Sequence, residues 1–509
     1  MDHGHTIGLV HLYMNESGYN AFNKRNLPHT ISKQHQPDIT MKSYLEIVAQ
    51  KSGNVCLPDI DYYPTYSAYE SLMYDFEKNY PDICRIINIG TLASGRKILV
   101  AQIGDSFQEK EDEPNFFYTS TMHGDETGGY PLMIKLIDHL LCNYGNDDRL
   151  TRMVNEINIF INPLANPNGT YRGGDDTVES AIRYNSTFSD LNRNFPDPED
   201  GEHPDNRDYQ EETEIFMAFA DDYNIQLSCN IHGGIEVANY PWDTFQHLPA
   251  DVSWWEEQCR SYADTVQSNS PANYFKALNN GVTNGYAWYE VQGGRQDYMT
   301  YFKRAREFTL EISNRKLVNS DDLPMLWNAN RAALLNYMES SLHGLRGVIV
   351  DCNTGDPLKA EIIIPGHDED NSSVYSESEL GSYFRYLDNG TYDLIAVVEG
   401  YDTLYFTAQI SDKQSTRYDV MLCPEDLTSV TDEEWDMITL NYIDHSIYIS
   451  NLPQGQNFDF AIYNTSGQLI HSTDLDHRSA IDFTPENSGI FLIQISSQDK
   501  VKSIPVYIN

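Results

Sequence analysis

The sequence predicts an α/β protein: a mixed, largely parallel sheet flanked by helices, followed by two small all-β sandwich domains. Three observations carry this expectation. Short strand-like runs alternate with helical periodicity up to residue 342, as parallel strands joined by crossover helices require. The pattern changes at His343-Gly344, beyond which only short strands and turns follow. The chain has 509 residues, 40% of them hydrophobic, enough for two to four cores.

The elements follow in order. Residues 1–57 are polar and weakly periodic. A helix is predicted over 66–80: Tyr69, Leu72, Met73, Phe76 and Tyr80 recur at helical spacing, and Pro81 stops it. Ser67 and Glu70 have the spacing of a capping box. Predicted strands cover residues 97–104, 115–122, 156–162, 225–231 and 307–312. One helix is predicted to open near Glu126 and run to about Tyr144, and a last one to span 323–342. Residues 58–342 therefore read as one large α/β domain.

From Arg346 to Leu422, turn chemistry at Asn353-Thr354-Gly355-Asp356 and Asp388-Asn389-Gly390 separates apolar runs at 361–364 and 392–398. This reads as a β-sandwich over 343–423. A polar, acidic linker (Glu425–Glu434) precedes a second all-β domain over 435–509.

Charge narrows the partners. With 34 basic and 76 acidic residues the net charge is −42, a field that repels nucleic acid and anionic membranes and favours cationic partners. No apolar run is long enough to span a bilayer. The seven cysteines form no CxxC pair and, being odd in number and sparse, show no disulfide framework. Met1-Asp2-His3-Gly4-His5 lacks the features of a signal peptide, so either the protein is not exported or a signal has been removed.

Three positions suggest chemistry. His123 and Glu126, in His123-Gly124-Asp125-Glu126, can reach one metal if the histidine ends a strand and the glutamate opens a helix. His232 ends the strand Leu227-Ser228-Cys229-Asn230-Ile231, on the same sheet edge, where open α/β sheets bind ligands. Two histidines and a carboxylate leave zinc an open position for water, the arrangement of a catalytic site. Glu311 lies in Phe308-Thr309-Leu310-Glu311-Ile312-Ser313, where alternation would bury it in a central strand. A buried carboxylate is costly without a charged partner, and beside a metal-activated water it can act as general base. Alone, each residue has an ordinary structural reading: a hydrogen-bonded core histidine, or a solvated edge glutamate.

Five segments occur together: His123-Gly124-Asp125-Glu126, Asp190-Leu191-Asn192-Arg193-Asn194-Phe195-Pro196, Asn230-Ile231-His232-Gly233-Gly234, Asn284-Gly285-Tyr286-Ala287-Trp288-Tyr289 and Phe308-Thr309-Leu310-Glu311. Over residues 58–342 the sequence thereby resembles the zinc metallocarboxypeptidases of the carboxypeptidase A type, most closely their regulatory N/E subfamily. The resemblance implies a carboxypeptidase-like sheet and one Zn²⁺ held by His123, Glu126 and His232. It implies Glu311 as general base and Arg183 as the group that polarises the scissile carbonyl. Asn192, Arg193 and Tyr289 would grip the terminal carboxylate of a peptide or protein, making the enzyme an exopeptidase.

Asp243 and Gln296 match pocket residues that accept basic side chains, so a preference for C-terminal Lys or Arg is expected. Two residues depart from the subfamily pattern. Arg295 places a cation where an apolar residue is usual and argues against a basic substrate; Asp125 replaces an asparagine between the metal ligands. Two other readings stand beside the main one: an amidase acting on cell-wall peptides or acidic C-terminal residues, and an inactive peptide-binding relative.

Residues 343–423 resemble the transthyretin-like domain of the same subfamily, through Leu345-Arg346-Gly347-Val348-Ile349-Val350-Asp351 and Gly400-Tyr401. Residues 435–509 resemble the C-terminal sorting domain of Bacteroidetes type IX secretion, through Ile462–Leu469, Ser488–Ile495 and the Val501–Ile508 strand. That implies contact with secretion machinery and a secreted or cell-surface location. Asn15–Ile31 resembles the tail of a prodomain, so residues 1–57 are expected to be a prodomain remnant.

Overall fold

Eight strands build the central sheet of the computed structural model, and the order in which they pair decides where chemistry can sit. They are β1 (Cys84–Thr91), β2 (Lys97–Ile103), β3 (Asn115–Ser120), β4 (Asn158–Asn162), β5 (Leu227–His232), β6 (Glu236–Tyr240), β7 (Val282–Asn284) and β8 (Arg306–Ile312). Their spatial order is β1-β2-β4-β3-β5-β8-β6-β7. The four middle strands, β4, β3, β5 and β8, pair in parallel. β1, β2 and β6 join antiparallel, giving the mixed sheet expected. The structure describes residues 16–25, 27–29, 37–50, 56–424, 438–443, 445–450, 458–475, 480–485, 488–497 and 500–508. The expected linker Glu425–Glu434 lies outside them.

Alternation along the middle strands feeds two cores. Phe116, Tyr118, Ile159, Ile161, Phe308 and Leu310 face one side, packed under α1 (Tyr66–Asn79), α2 (Gly129–Asn143), α5 (Val252–Ser268) and α6 (Leu323–Glu339). Phe117 and Phe160 face the other side, against Phe216 and Phe219 of α4 (Glu211–Tyr223). The remaining long helix of this region, α3 (Asp148–Glu156), leads into β4. With both faces covered, any ionised group on the middle strands must find its partner inside the protein.

Several boundaries differ from the sequence expectation for identifiable reasons. α1 is capped by Thr65, whose hydroxyl accepts from the Ala68 N–H at 3.2 Å, and not by Ser67. Glu70 instead pairs with Lys97 at 3.1 Å. α2 begins at Gly129, not near Glu126; residues 123–128 form the tight connection from β3. Strands β1, β6 and β7 carry no clear period-two pattern. β1 is a half-exposed edge strand with an irregularity between Asn88 and Gly90, and β7 has only three residues.

The structure also contains the disulfides Cys56–Cys142 and Cys352–Cys423, separated by 86 and 71 residues. Spacings of that length carry no sequence signature, because the fold alone brings the sulfurs together. Beyond His343, strands from Gly344 to Leu422 form two four-stranded sheets over one core that includes Leu345, Ile349, Leu394 and Phe406. Strands from Thr439 to Ile508 form a three-stranded and a four-stranded sheet over a further core around Ile447, Phe460 and Ile493. The first sandwich is joined to the α/β region by a buried charge network. Asp251 pairs with Arg306, with Arg385 at 3.5 Å and with His367 at 3.2 Å.

Candidate active site

The carboxyl edge of the middle strands gathers the predicted site. β3 ends at Ser120, and Thr121 turns the chain with a positive φ of 63°. The Glu126 N–H donates to the His123 carbonyl at 3.0 Å, folding the glutamate back beside the histidine. Gly124 is required in this turn, since a β-carbon there would lie 2.4 Å from the Gly169 carbonyl carbon. His232 is the last residue of β5.

His123 Nδ1 lies 3.0 Å from His232 Nδ1, and Glu126 Oε2 lies 3.0 and 2.7 Å from these nitrogens. The three side chains are buried and could hold a metal ion, all three donor atoms lying within 4.8 Å of one another. Each outer imidazole nitrogen is engaged: His123 Nε2 with Asp190 at 3.0 Å, and His232 Nε2 with the Asn230 side-chain amide at 2.8 Å. Such contacts orient imidazoles toward a metal. Burial pushes the His232 imidazole down to about 4, so it is neutral at neutral pH, as a ligand must be. Burial pushes Glu126 upward, but the two histidines together hold its carboxyl well below the usual range.

Arg183 stands beside this group. Its Nε donates to Asp190 at 2.8 Å, and its Nη1 lies 3.4 Å from Glu126 Oε1. Lys316 Nζ lies 3.3 Å from the same oxygen. Asp190 and Lys316 were not assigned roles from the sequence. Asp190 lies within the Asp190–Pro196 segment, where an acid two residues before Asn192 was an available signal. Lys316 sits in a loop after β8, and nothing in its local sequence marks it.

Glu311 reaches the site through register. β8 runs parallel to β5, with Glu311 opposite His232, so the two side chains share one face of the sheet. Glu311 is buried, as the alternation predicts. The turn Leu191–Arg193 carries Asn192 and Arg193 and is capped by Asp190, which accepts from the Asn192 N–H at 3.1 Å. Tyr289 follows the short helix Gly285–Trp288. Burial pushes its hydroxyl up to about 12, against the pull of Arg193, and the charges of Glu311, Arg183 and Asp243 also act on it. Tyr289 therefore stays protonated at neutral pH.

Asp243 and Gln296 meet: Gln296 Nε2 donates to Asp243 Oδ1 at 3.1 Å, and Asn239 donates to the same oxygen at 3.0 Å. Gln296 Oε1 is buried with no hydrogen-bond partner among the described residues. Burial pushes Asp243 up to about 6. The adjoining Asp297, which accepts from the Asp243 and Thr244 N–H groups at 2.9 and 2.7 Å, is pushed well above the usual range by burial and by Asp243. Gly285 leaves room for this cluster, because a β-carbon there would overlap Asp243 Oδ1.

Arg295 does not oppose the pocket as its sequence position suggests. Its side chain is fully buried, bonds Thr119, and pairs with Glu307 at 3.0 Å. Asp125, the other departure, has its carboxyl pushed up by burial.

A sheet edge carrying two histidines and a carboxylate around one point, with an arginine alongside and a second carboxylate in register, is the framework of a metal-dependent hydrolase. The chain belongs to the zinc carboxypeptidase family: the family model described as "Zinc carboxypeptidase" matches residues 69–333. It is 32% identical over 348 residues to carboxypeptidase M of Mus musculus, covering 66% of this chain and 77% of that protein. The carboxypeptidase N catalytic chain of Rattus norvegicus is 30% identical over 388 residues, covering 69% of this chain and 83% of that protein. Carboxypeptidase D of Homo sapiens is 32% identical over 354 residues, and the match spans only 25% of its length. Among solved structures, carboxypeptidase A from Helicoverpa armigera is 18% identical, with a TM-score of 0.47 over 57% of this chain and 77% of that one. The family implies Zn²⁺, and the His123, Glu126 and His232 donor set fits it: two imidazoles, each braced at its outer nitrogen, and one carboxylate.

Proposed function

We propose that this protein is a zinc-dependent exopeptidase that hydrolyses the C-terminal peptide bond of peptides or proteins, with a preference for C-terminal Lys or Arg. The observation that carries this reading is the convergence of the His123, Glu126 and His232 donors with Arg183, and of Glu311 in register with His232. The metal, when bound at these three residues, supplies Lewis acidity and an acidified water. Glu311 takes the proton of the attacking water and returns it to the leaving amine. Arg183, fixed by Asp190, steadies the negative charge that builds on the scissile carbonyl oxygen. Asn192, Arg193 and the protonated Tyr289 bind the free carboxylate of the substrate, which restricts cleavage to the last residue. The Asp243–Gln296 pair supports the basic preference, because a buried carboxylate beside an unsatisfied amide oxygen suits an ammonium or guanidinium group. The N, M and D names of the relatives support the regulatory N/E subfamily.

Residues 1–57 are read as a prodomain remnant, 58–342 as the catalytic domain, 343–423 as a transthyretin-like sandwich and 435–509 as a bacterial type IX sorting domain that engages secretion machinery. A secreted or cell-surface location is supported by the two disulfides, which persist in oxidising compartments. Among the described residues no helix is long and apolar enough to cross a membrane.

The test is hydrolysis of hippuryl-Arg, hippuryl-Lys, hippuryl-Phe and hippuryl-Glu, with and without a chelator. Chelator-sensitive release, fastest from hippuryl-Arg or hippuryl-Lys, is expected. Absence of any chelator-sensitive release would overturn the enzyme reading. Preference for hippuryl-Glu would overturn the basic pocket and favour the acidic-substrate amidase.

A further inference from the structure

On the face of the sheet that carries Glu311, polar side chains continue down the strands. The pairings Glu311–His232, Thr309–Asn230–Thr119 and Glu307–Ser228–Phe117 form three successive rungs. Glu307 stands four positions before Glu311, so it lies about 13 Å deeper along β8. Arg295 plugs the two lower rungs. Its guanidinium bonds Thr119, pairs with Glu307 Oε2 at 3.0 Å, and lies over the rings of Phe117 and Phe216 at 5.0 and 5.5 Å. Ser228 Oγ donates to the same Glu307 oxygen at 2.7 Å. Both charged side chains are at most 1% exposed.

The backbone around Arg295 belongs to the binding site. Its N–H donates to Asn192 Oδ1 at 2.9 Å, and its neighbour Gln296 bonds Asp243. A guanidinium keeps its proton in a protein, so the residue next to Gln296 in the chain carries a full positive charge into the sheet. At that depth water cannot screen it. The carboxylate of Glu307 is the anion that meets it.

We propose that Glu307 is a specificity-determining positioning residue. It holds the Arg295 side chain inside the sheet and cancels its charge, so that Asp243 faces a C-terminal Lys or Arg side chain without opposition from that cation. The inference rests on the basic preference proposed above. Glu307 touches no substrate atom; it acts through Arg295.

The experiment compares the full-length zinc-loaded protein with Glu307→Gln, Arg295→Met and the double variant Arg295→Met/Glu307→Gln, using hippuryl-Arg and hippuryl-Phe. Glu307→Gln leaves the guanidinium uncompensated. Its kcat/KM for hippuryl-Arg is expected to fall about tenfold or more, mainly through KM, with hippuryl-Phe changed by less than about threefold. The double variant removes both charges and is expected to keep the wild-type Arg-to-Phe ratio within about threefold. Arg295→Met leaves Glu307 with Ser228 and is expected to keep or raise that ratio.

An unchanged ratio in folded Glu307→Gln would overturn the proposal, as would a collapsed ratio in the double variant. Should Glu307→Gln alone fail to fold, the double variant decides. The wild-type ratio reads separately on the basic preference: a wild type that favours hippuryl-Phe defeats that reading whatever the variants do.

Discussion

Glu311 and Asp243 are both buried carboxylates, and their neighbours give them different work. Glu311 shares its register position with His232, so it faces the place where water would be activated. Glu311→Gln keeps shape but cannot accept the proton. It is expected to retain zinc and inhibitor binding while kcat falls by roughly 10²–10⁴; stopped assays with metal analysis check this. Asp243 sits instead against Gln296 and Asn239 and is pushed up to about 6 by burial. Only its ionised form attracts a cation, so the hippuryl-Arg to hippuryl-Phe ratio of kcat/KM should fall as pH drops below about 6. The limiting slope is about tenfold per pH unit. Taking the ratio cancels the pH response shared by both substrates, and Asp243→Asn should flatten it at a low value. These two residues were legible in the sequence. Asp190 and Lys316 were not given roles, because a residue that braces a ligand is defined by what it touches.

At the scale of elements, the connection from β3 to α2 does the positioning. It must place His123 and Glu126 together while the chain passes close to residues 169 and 170. Gly124→Ala would drive a methyl group into that backbone. The expected result is a well-folded protein, with unchanged far-ultraviolet circular dichroism, whose zinc affinity is about tenfold or more weaker in a chelator competition. The sequence places Glu126 at a helix start, whereas α2 begins three residues later. The difference has a physical cause: Glu126 is directed back to the histidines by the His123–Glu126 turn, and helical geometry would carry it away.

At the scale of the molecule, the α/β region and the first sandwich share a buried set of charges. Asp251, before α5, meets Arg306 of β8, and meets Arg385 and His367 from the sandwich. Hydrogen bonds that His367 donates to Asp251 and Asp368 raise it to about 9. A histidine raised on folding stabilises fully below its unfolded value of about 6.5 and loses that contribution as pH rises through about 9. The wild-type protein should therefore lose up to about 3 kcal/mol between these limits relative to His367→Gln. Denaturant unfolding of both proteins at pH 6 and pH 9.5 checks this. If the two curves run parallel in pH, the network does not hold His367 in its charged form.

The sequence by itself determined the fold class, and it nominated the sheet edge and the metal-ligating, general-base and carboxylate-binding candidates. Period-two and helical spacing are local, so they can be read from each segment alone, to within a residue or two at its ends. Only the tertiary structure decided the two disulfides, the part played by Asp190 and Lys316, and the direction of Arg295. Each of these depends on residues far apart in the chain. A cation whose position suggested a hostile pocket proved to be paired with Glu307 inside the sheet. Burial made that pairing necessary, and residues 12 positions apart reveal it only once folding brings Glu307 of β8 against Arg295.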